Sequence, residues 1–337
     1  MRSPSPSPTL VDVARAAGVS RATASRVLAG QTTVDPELAA RVLDAAERLD
    51  YRTNTAARAL RSGSTGSVAV VVPNSELDGL SGPFVGAPLR GATTTLFAHG
   101  RQPVLLLDDG LATGQLLRYL TGPHVDGAVV ILHHETETLF RRLHGVTVPV
   151  VYVGRTSDEL AADASFVDCD NYGGARAATR ALLEAGRRRL ATIAGPSTYR
   201  PVTERLRGFV DELADWGLAP GPVVHGEFSM AAGAAAAAQL LQRTTVDAVF
   251  AQSDLLAVGA VRVVTSAGRR VPDDVSVVAF DDTVVAATSD PPLSSVRQPL
   301  YEMGARAAEL LLEAIGGTST GPQQDTLPTS LTTRASV

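Results

Sequence analysis

Lysine is absent from this 337-residue chain, so all 30 of its Lys-or-Arg cations are arginine, which fits a GC-rich genome and says nothing of function. The single cysteine, Cys169, excludes an internal disulfide framework and a cysteine metal cluster; it reads as a small residue beside a strand. Aromatic residues make up only 4 % of the chain and leave few stacking platforms. Apolar runs such as Val68–Val72 and Ala128–Leu132 fall far short of the roughly 20 residues of a membrane helix. Residues 1–8 carry one arginine and alternating Ser-Pro with no apolar segment, so they are expected to be a floppy leader and not a secretory signal. These absences point to the cytoplasm. No Gly-x-Ser-x-Gly elbow, phosphate-binding loop or His-Glu-x-x-His is present, so nothing supports an enzyme or calls for a cofactor. His133-His134-Glu135 is the nearest approach to a metal cluster, but neighbouring residues on a strand point to opposite faces.

What is there is the composition of a globular protein, 45 % apolar and 19 % charged. The net charge of −5 is unevenly spread. Met1 to Arg61 holds nine arginines against six acids, a net of +3, which leaves −8 for the remainder. A basic head on an acidic body suits a chain that docks one end onto phosphate. Three short amphipathic helices are legible in that head. Thr9 caps the first, with Asp12 three residues on and Gly18 ending it; Ser20 caps a second over about 21–28; Asp35-Pro36-Glu37 opens a third, carried by Leu38, Val42, Ala45, Ala46 and Leu49. Residues 62–66, Ser-Gly-Ser-Thr-Gly, read as a joint.

Beyond Gly66 the pattern changes. Apolar runs near 68–72, 103–107, 128–132, 148–153, 190–194, 247–251 and 275–280 alternate with helical stretches such as 172–185, 202–216, 231–242, 254–267 and 302–315. Continuous Val/Ile/Leu runs separated by helices indicate parallel strands covered on both faces. The fold class is therefore α/β: a three-helix headpiece, then two doubly wound lobes with a ligand cleft at the carboxyl ends of their strands.

Residues 9–30 have the form of a helix-turn-helix, with a bracing helix, Gly18 at the turn and a second helix facing base edges. Arg21, Ala22 and Arg26 would be exposed on that helix, while Ala24, Val27 and Leu28 face inward. Arg26 can donate twice to a guanine, and Ser20 and Thr23 stand where hydroxyls reach phosphate. The alternative is a small helical bundle with solvated arginines.

This stretch, followed by Val34, Arg41-Val42, Tyr51-Arg52, Asn54 and Ala57-Arg58-Ala59-Leu60, strongly resembles the lactose/galactose-repressor family. The resemblance continues through Val71-Val72-Pro73, Gly195-Pro196, Arg207-Gly208-Phe209, Val271-Pro272-Asp273-Asp274-Val275-Ser276, Phe280-Asp281-Asp282, Pro291-Pro292, Val296-Arg297-Gln298-Pro299, Met303-Gly304 and Leu327-Pro328. It implies a ligand-responsive regulator, expected to be a repressor, that binds double-stranded operator DNA as a homodimer. It further implies a periplasmic-binding-protein-like core that senses a sugar or another small polar metabolite. A periplasmic solute-binding protein would share that core but not the headpiece. Asn54 to Leu60 would be a hinge helix ordered on DNA, with Leu60 wedged into a central base step; without the resemblance Leu60 is an ordinary linker leucine.

The DNA-facing set implied is Thr9, Ser20, Arg21, Ala22, Thr23, Ser25 and Arg26, with Asn54, Ala57 and Leu60 in the hinge. The ligand set implied is Phe84, Arg155, Arg207, Phe228, Ser253 and Asp281. Arg207 would grip ligand oxygens, Asp281 accept from hydroxyls, and the two phenylalanines offer faces to a ring. Each has a plainer alternative: Arg207 in a surface ion pair, Asp281 and Asp282 capping a turn, Phe84 and Phe228 in the core. Trp216 reads as packing. The chain departs from the family at Thr53 (usually Pro), Ala24 (usually larger), Ala29 (commonly Asn), Gly154 (usually Asp) and Ser253 (usually Asn), so base preference and ligand are expected to differ. The domains expected are 9–52 for DNA binding, 53–66 for hinge and linker, and 67–337 for the core. Within the core the N-lobe spans about 67–164 and 296–324, and the C-lobe about 165–295 and 325–337. No leucine-heptad tail follows Leu327, so a tetramer held by one is not expected.

Overall fold

A computed structural model of the chain describes residues 8–28, 34–51, 64–73, 82–108, 113–131, 137–143, 146–155, 162–243, 245–319 and 321–337. Asn54, Ala57 and Leu60 of the expected hinge helix, His133 to Glu135 and most of the leader lie outside the described residues. Contacts divide the chain into two units, Met1–Thr65 and Gly66–Val337.

The first unit holds α1 (Leu10–Ala17), α2 (Arg21–Leu28) and α3 (Pro36–Arg48). Thr9 and Asp12 form a reciprocal capping box at the start of α1. Gly18 ends α1 at φ 63, a left-handed conformation that a side chain resists. Asp35 caps α3 by accepting from Glu37 N and Leu38 N, and Pro36 takes the first helical position. The apolar stripes meet in a core of Val13, Ala14, Ala17, Ala24, Val27, Val42, Ala45 and Ala46. Arg41 of α3 donates from Nη2 to the Ala17 carbonyl at 2.5 Å, satisfying an orphan acceptor at the end of α1. The small Ala24 lies fully buried against these helices, so the core closes without the larger residue expected there.

The second unit contains two parallel sheets. The first has the order β11-β5-β4-β3-β1-β2, built from β1 (Ser67–Pro73), β2 (Gln102–Asp108), β3 (Ala128–Ile131), β4 (Val150–Val153), β5 (Ser165–Cys169) and β11 (Gln324–Leu327). The second has the order β12-β10-β9-β8-β6-β7, with β6 (Leu190–Ala194), β7 (Val223–His225), β8 (Ala248–Ala251), β9 (Ser276–Asp281), β10 (Ser294–Arg297) and β12 (Ser330–Thr332), the last antiparallel to β10. Both orders reverse direction beside their first strand, the pattern that opens a crevice at the strands' carboxyl ends.

Both faces of each sheet are covered, and the strand pleat decides which helices each residue meets. Val68, Val70 and Val72 pack with α4 (Gly82–Ala98) and α12 (Leu300–Ile315), whereas Ala69 and Val71 join the cluster under α5 (Thr113–Thr121) and α6 (Glu137–Leu143). In the second sheet Phe250, Val278 and Phe280 face α7 (Asn171–Glu184) and α8 (Arg200–Asp215). Val249, Val277 and Ala279 face α9 (Met230–Arg243) and α10 (Asp254–Ser266); the short α11 (Val284–Thr288) follows β9. The two outer helix pairs are cut to fit by glycine. A Cβ on Gly304 of α12 would lie 2.0 Å from the Pro88 carbonyl oxygen of α4, and one on Gly259 of α10 would lie 2.1 Å from the Met230 carbonyl oxygen of α9.

The chain exchanges sheets at different points from those expected. β5 pairs with β4 and β11 in the first sheet, β10 pairs with β9 in the second, and β11 returns to the first. Residues 165–169 and 324–327 therefore belong to the N-lobe and 294–297 to the C-lobe, which corrects the boundaries at 165, 296 and 325. The reason is physical: Ser165–Cys169 and Ser294–Arg297 are short strands with polar members, and their ladders outweigh their weak apolar pattern. No helix among the described residues is long and apolar enough to cross a membrane.

Candidate effector cleft and DNA-facing helix

On α2 the side chains of Arg21, Ala22 and Arg26 are exposed, while Thr23 and Ser25 are half-buried. Ser20 is also exposed; its Oγ accepts from Thr23 N at 3.0 Å and lies 2.9 Å from Thr23 Oγ1, so it caps the first turn. Thr9 donates through Oγ1 to Asp12 at 2.7 Å. The Thr9 hydrogen bonds hold the Asp12 carboxyl below its ordinary value. Arg26 makes a long contact, Nε to the Ala22 carbonyl at 3.4 Å, that a base edge could replace. A cationic face on α2 is thus in place, with Ser20 capping its first turn.

In the core, four of the expected ligand residues lie at or just beyond the carboxyl ends of strands: Arg155 after β4, Phe228 after β7, Ser253 after β8, and Asp281 at the end of β9. Phe84 is half-buried in the first turn of α4. Phe228 is half-buried over Gly195, where a Cβ would come within 2.3 Å of the ring, and it stacks on Tyr199 at 6.5 Å. Gly195 is therefore required for that ring to sit where it does.

Of the two arginines in this stretch of α8 the buried one is Arg205, whereas the expected Arg207 is exposed. Val202, Arg205, Phe209 and Leu213 recur at helical spacing on the buried face of α8, and Arg205 is 5 % exposed. Its Nε donates to Asn171 Oδ1 at 2.9 Å and its Nη1 to the Gln252 carbonyl at 2.6 Å. The guanidinium lies 3.7 Å from the Phe280 ring centroid and 3.8 Å from Asp281 Oδ1. Arg207 stands two positions round the helix, exposed, over the Tyr172 ring at 4.4 Å. A two-residue step turns a helical side chain by about 200°, so the two cannot share a face.

Asp281 is buried and accepts from Gln298 Nε2 at 2.7 Å. Burial pushes its carboxyl well above the ordinary value, against the pull of Arg205. It adopts φ 113, an uncommon conformation for a residue with a side chain. Asp282 is the turn-holding partner of this pair: it accepts from Arg334 at 2.6 Å and Thr332 at 2.8 Å. Ser253 caps α10: its Oγ accepts from Leu256 N at 3.2 Å. Asp254 beside it is buried and binds Thr283 and Ser295, and burial raises its carboxyl.

Arg155 is engaged by carboxylates. Its Nε donates to Asp168 at 2.8 Å and its Nη2 to Glu204 at 2.6 Å. Burial raises the Asp168 carboxyl above its ordinary value, opposed by Arg155. Asp168 also accepts from Cys169 N at 2.8 Å, and Cys169 lies 3.3 Å from Gln298 through Sγ. Burial likewise pushes the Cys169 thiol up, which makes it inert and structural. One polar network therefore runs through Arg155, Asp168, Asn171, Arg205, Asp281 and Gln298 where the chain crosses between sheets. Asn171 and Gln298 escaped sequence reasoning because single amides carry no periodic signal. Arg205 was detectable, since a cation on an apolar stripe must be buried and paired. Among the described residues no cluster of His, Cys, Asp and Glu fits a metal ion.

Residues 9–54 match the description "Bacterial regulatory proteins, lacI family", and residues 179–337 match "Periplasmic binding protein-like domain". The HTH-type transcriptional regulator CelR of Thermobifida fusca is 41 % identical over 333 residues, covering 98 % of each chain. The HTH-type transcriptional regulator MalR of Streptomyces coelicolor is 34 % identical over 322 residues, covering 92 % of this chain and 90 % of that one. Among solved structures, a CelR-cellobiose complex is 40 % identical with a TM-score of 0.76, covering 98 % of this chain and 100 % of the other. These relatives are transcriptional regulators and not enzymes. The chain belongs to the lacI family of bacterial regulatory proteins: it is a DNA-binding transcriptional regulator with a helix-turn-helix headpiece and a periplasmic-binding-protein-like core.

Proposed function

We propose that the protein is a repressor that binds a near-palindromic operator as a dimer on the nucleoid and is controlled by an uncharged sugar in the inter-lobe cleft. The observation that carries the effector reading is the buried Arg205, stacked on Phe280 and joined to Asn171 and Asp281 at the strand ends, with Gln298 donating to the same Asp281. A guanidinium fork, a carboxylate and amides together offer donors and acceptors for several hydroxyls, and Phe84 and Phe228 offer apolar faces for a sugar ring. Arg205 and Arg155 each have carboxylate neighbours, so the site does not need a ligand's charge to balance it. Cellobiose, which accompanies the similar CelR structure, is the first effector to test. Arg205, Asp281, Phe84 and Phe228 form the contact set; Ser253 serves by capping α10.

On the DNA side, Arg21, Ala22, Ser25 and Arg26 read the major groove, while Thr9, Ser20 and Thr23 set the register on phosphate. Asn54, Ala57 and Leu60 supply the hinge. Symmetric operators are read by symmetric proteins, which supports the dimer. Selection of bound sequences from a random DNA pool, at fixed moderate salt and with cellobiose both absent and present, tests this. A palindrome with a constant central step is expected. Failure to recover any motif under either condition refutes sequence-specific operator binding.

A further inference from the structure

The cleft network contains a contact that joins the lobes directly. Arg155 follows β4 of the first sheet, whereas Glu204 stands on α8, which packs on α7 and β6 of the second lobe. Nη2 of Arg155 donates to Glu204 Oε2 at 2.6 Å, and both side chains are largely buried, 16 % and 11 % exposed. Each ion also holds a counterion of its own lobe. Arg155 Nε pairs with Asp168 of β5 at 2.8 Å, and its guanidinium lies 5.4 Å from the Phe166 ring centroid. Glu204 Oε1 accepts from Arg200 Nε of α8 at 3.0 Å. Arg205, the cleft arginine, is the next residue along the helix.

We infer that Arg155 and Glu204 form a reversible latch across the cleft that positions Arg205 for the effector and sets how readily the core closes. The four charges make reversal possible. A buried ion pair is costly to break when it strands a bare charge. Here opening leaves Arg155 with Asp168 and Glu204 with Arg200, so only the shared bond is lost. The latch biases closure without locking it, and an effector that bridges the lobes binds with the latch's help. Neither residue need touch the ligand; both are positioning residues. The affinity part of this inference rests on the effector reading above, whereas the closure part does not.

The test is a double-mutant cycle in the full-length protein: Arg155→Gln, Glu204→Gln and the pair together. Hydrogen exchange without ligand reads closure. Peptides covering 165–171 and 200–209 are expected to exchange faster in all three variants, with 165–171 accelerated further wherever Arg155→Gln also strips Asp168 of its counterion, while peptides of the headpiece and of α9 and α10 are unchanged. Apparent affinity for cellobiose is expected to fall roughly tenfold in each single variant and no further in the double, within the usual range of coupling between sites. Unchanged exchange at 165–171 and 200–209 overturns the latch, as does faster exchange spread over the whole core. Losses of affinity that multiply in the double variant also overturn it, because they mark two independent ligand contacts. If the unmodified protein does not bind cellobiose, that effector is refuted and the exchange result alone decides the latch.

Discussion

Replacing Arg205 and Arg207 separately by alanine separates two residues that look alike in sequence. Arg205→Ala removes two hydrogen bonds from a charged donor, to Asn171 Oδ1 at 2.9 Å and to the Gln252 carbonyl at 2.6 Å. Such bonds are each worth about 1.5–3 kcal/mol. The change also deprives Asp281 of its buried cation and uncovers one face of Phe280. These losses share one side chain and do not add. Removing one member of a buried pair costs about 3–5 kcal/mol, and that is the figure expected here. Arg207→Ala loses an exposed stack on Tyr172, worth about 0.5–1 kcal/mol. Urea unfolding followed by fluorescence reads the difference locally, because the chain's single tryptophan, Trp216, ends the same helix. Trp216 is 41 % exposed under Arg188, and its emission should change when α8 unfolds. Arg205→Met, which keeps most of the volume, guards against simple collapse; it should fold and yet fail to respond to effector. Loss of the effector response in Arg207→Ala with a normal response in Arg205→Met would refute the assignment of the cleft arginine.

Arg26→Ala should weaken specific operator binding by about 1–3 kcal/mol, the value of a bidentate base contact, and relax preference at one position; fluorescence anisotropy on matched and mismatched operators reads both. Gly304→Leu should destabilise the first lobe by about 1–3 kcal/mol or more in thermal melts, since even the first added carbon would lie 2.0 Å from the Pro88 carbonyl oxygen; unchanged melting would show that α4 and α12 can separate freely. Burial raises the carboxyl of Glu212, but hydrogen bonds from Arg180 and Arg176 overcome this and hold it below its ordinary 4.5. A depressed carboxyl contributes stability above its unfolded value and loses it as pH falls through the folded value. Glu212→Gln should therefore lower stability at neutral pH and flatten the acid limb of the stability profile below about pH 4.5. A profile parallel to that of the unmodified protein would exclude the ion pairs as its source.

Much of this architecture was legible from local pattern. The capping box at Thr9, the left-handed Gly18 and the Asp35-Pro36 start all act within one helical turn, so they read directly from spacing. Central strands such as β1 and β3 were legible because burial on both faces demands an unbroken apolar run. The sheet exchanges at β5, β10 and β11 were not, because these strands are specified by ladders to distant partners and not by their own polar-speckled sequences. The cleft was legible as a location and less so as a set of residues. Phe228 and Asp281 lie at strand ends, where the alternating pattern itself places a cleft. Asn171 is placed by a bond to Arg205 from another helix, and Gln298 by contact with Cys169 more than a hundred residues away. The family resemblance points to Arg207, whereas the helical stripe through Val202 and Phe209 puts Arg205 on the buried face.

The central claim is that occupancy of the cleft controls the headpiece. The most direct test is titration of the selected operator with the full-length protein, by anisotropy at fixed salt, across a series of cellobiose concentrations. Operator affinity is predicted to change by at least about fivefold, saturating with cellobiose, with no change for glucose 6-phosphate at equal concentration and none in Arg205→Met. Operator affinity that stays constant while cellobiose demonstrably fills the cleft would contradict the account.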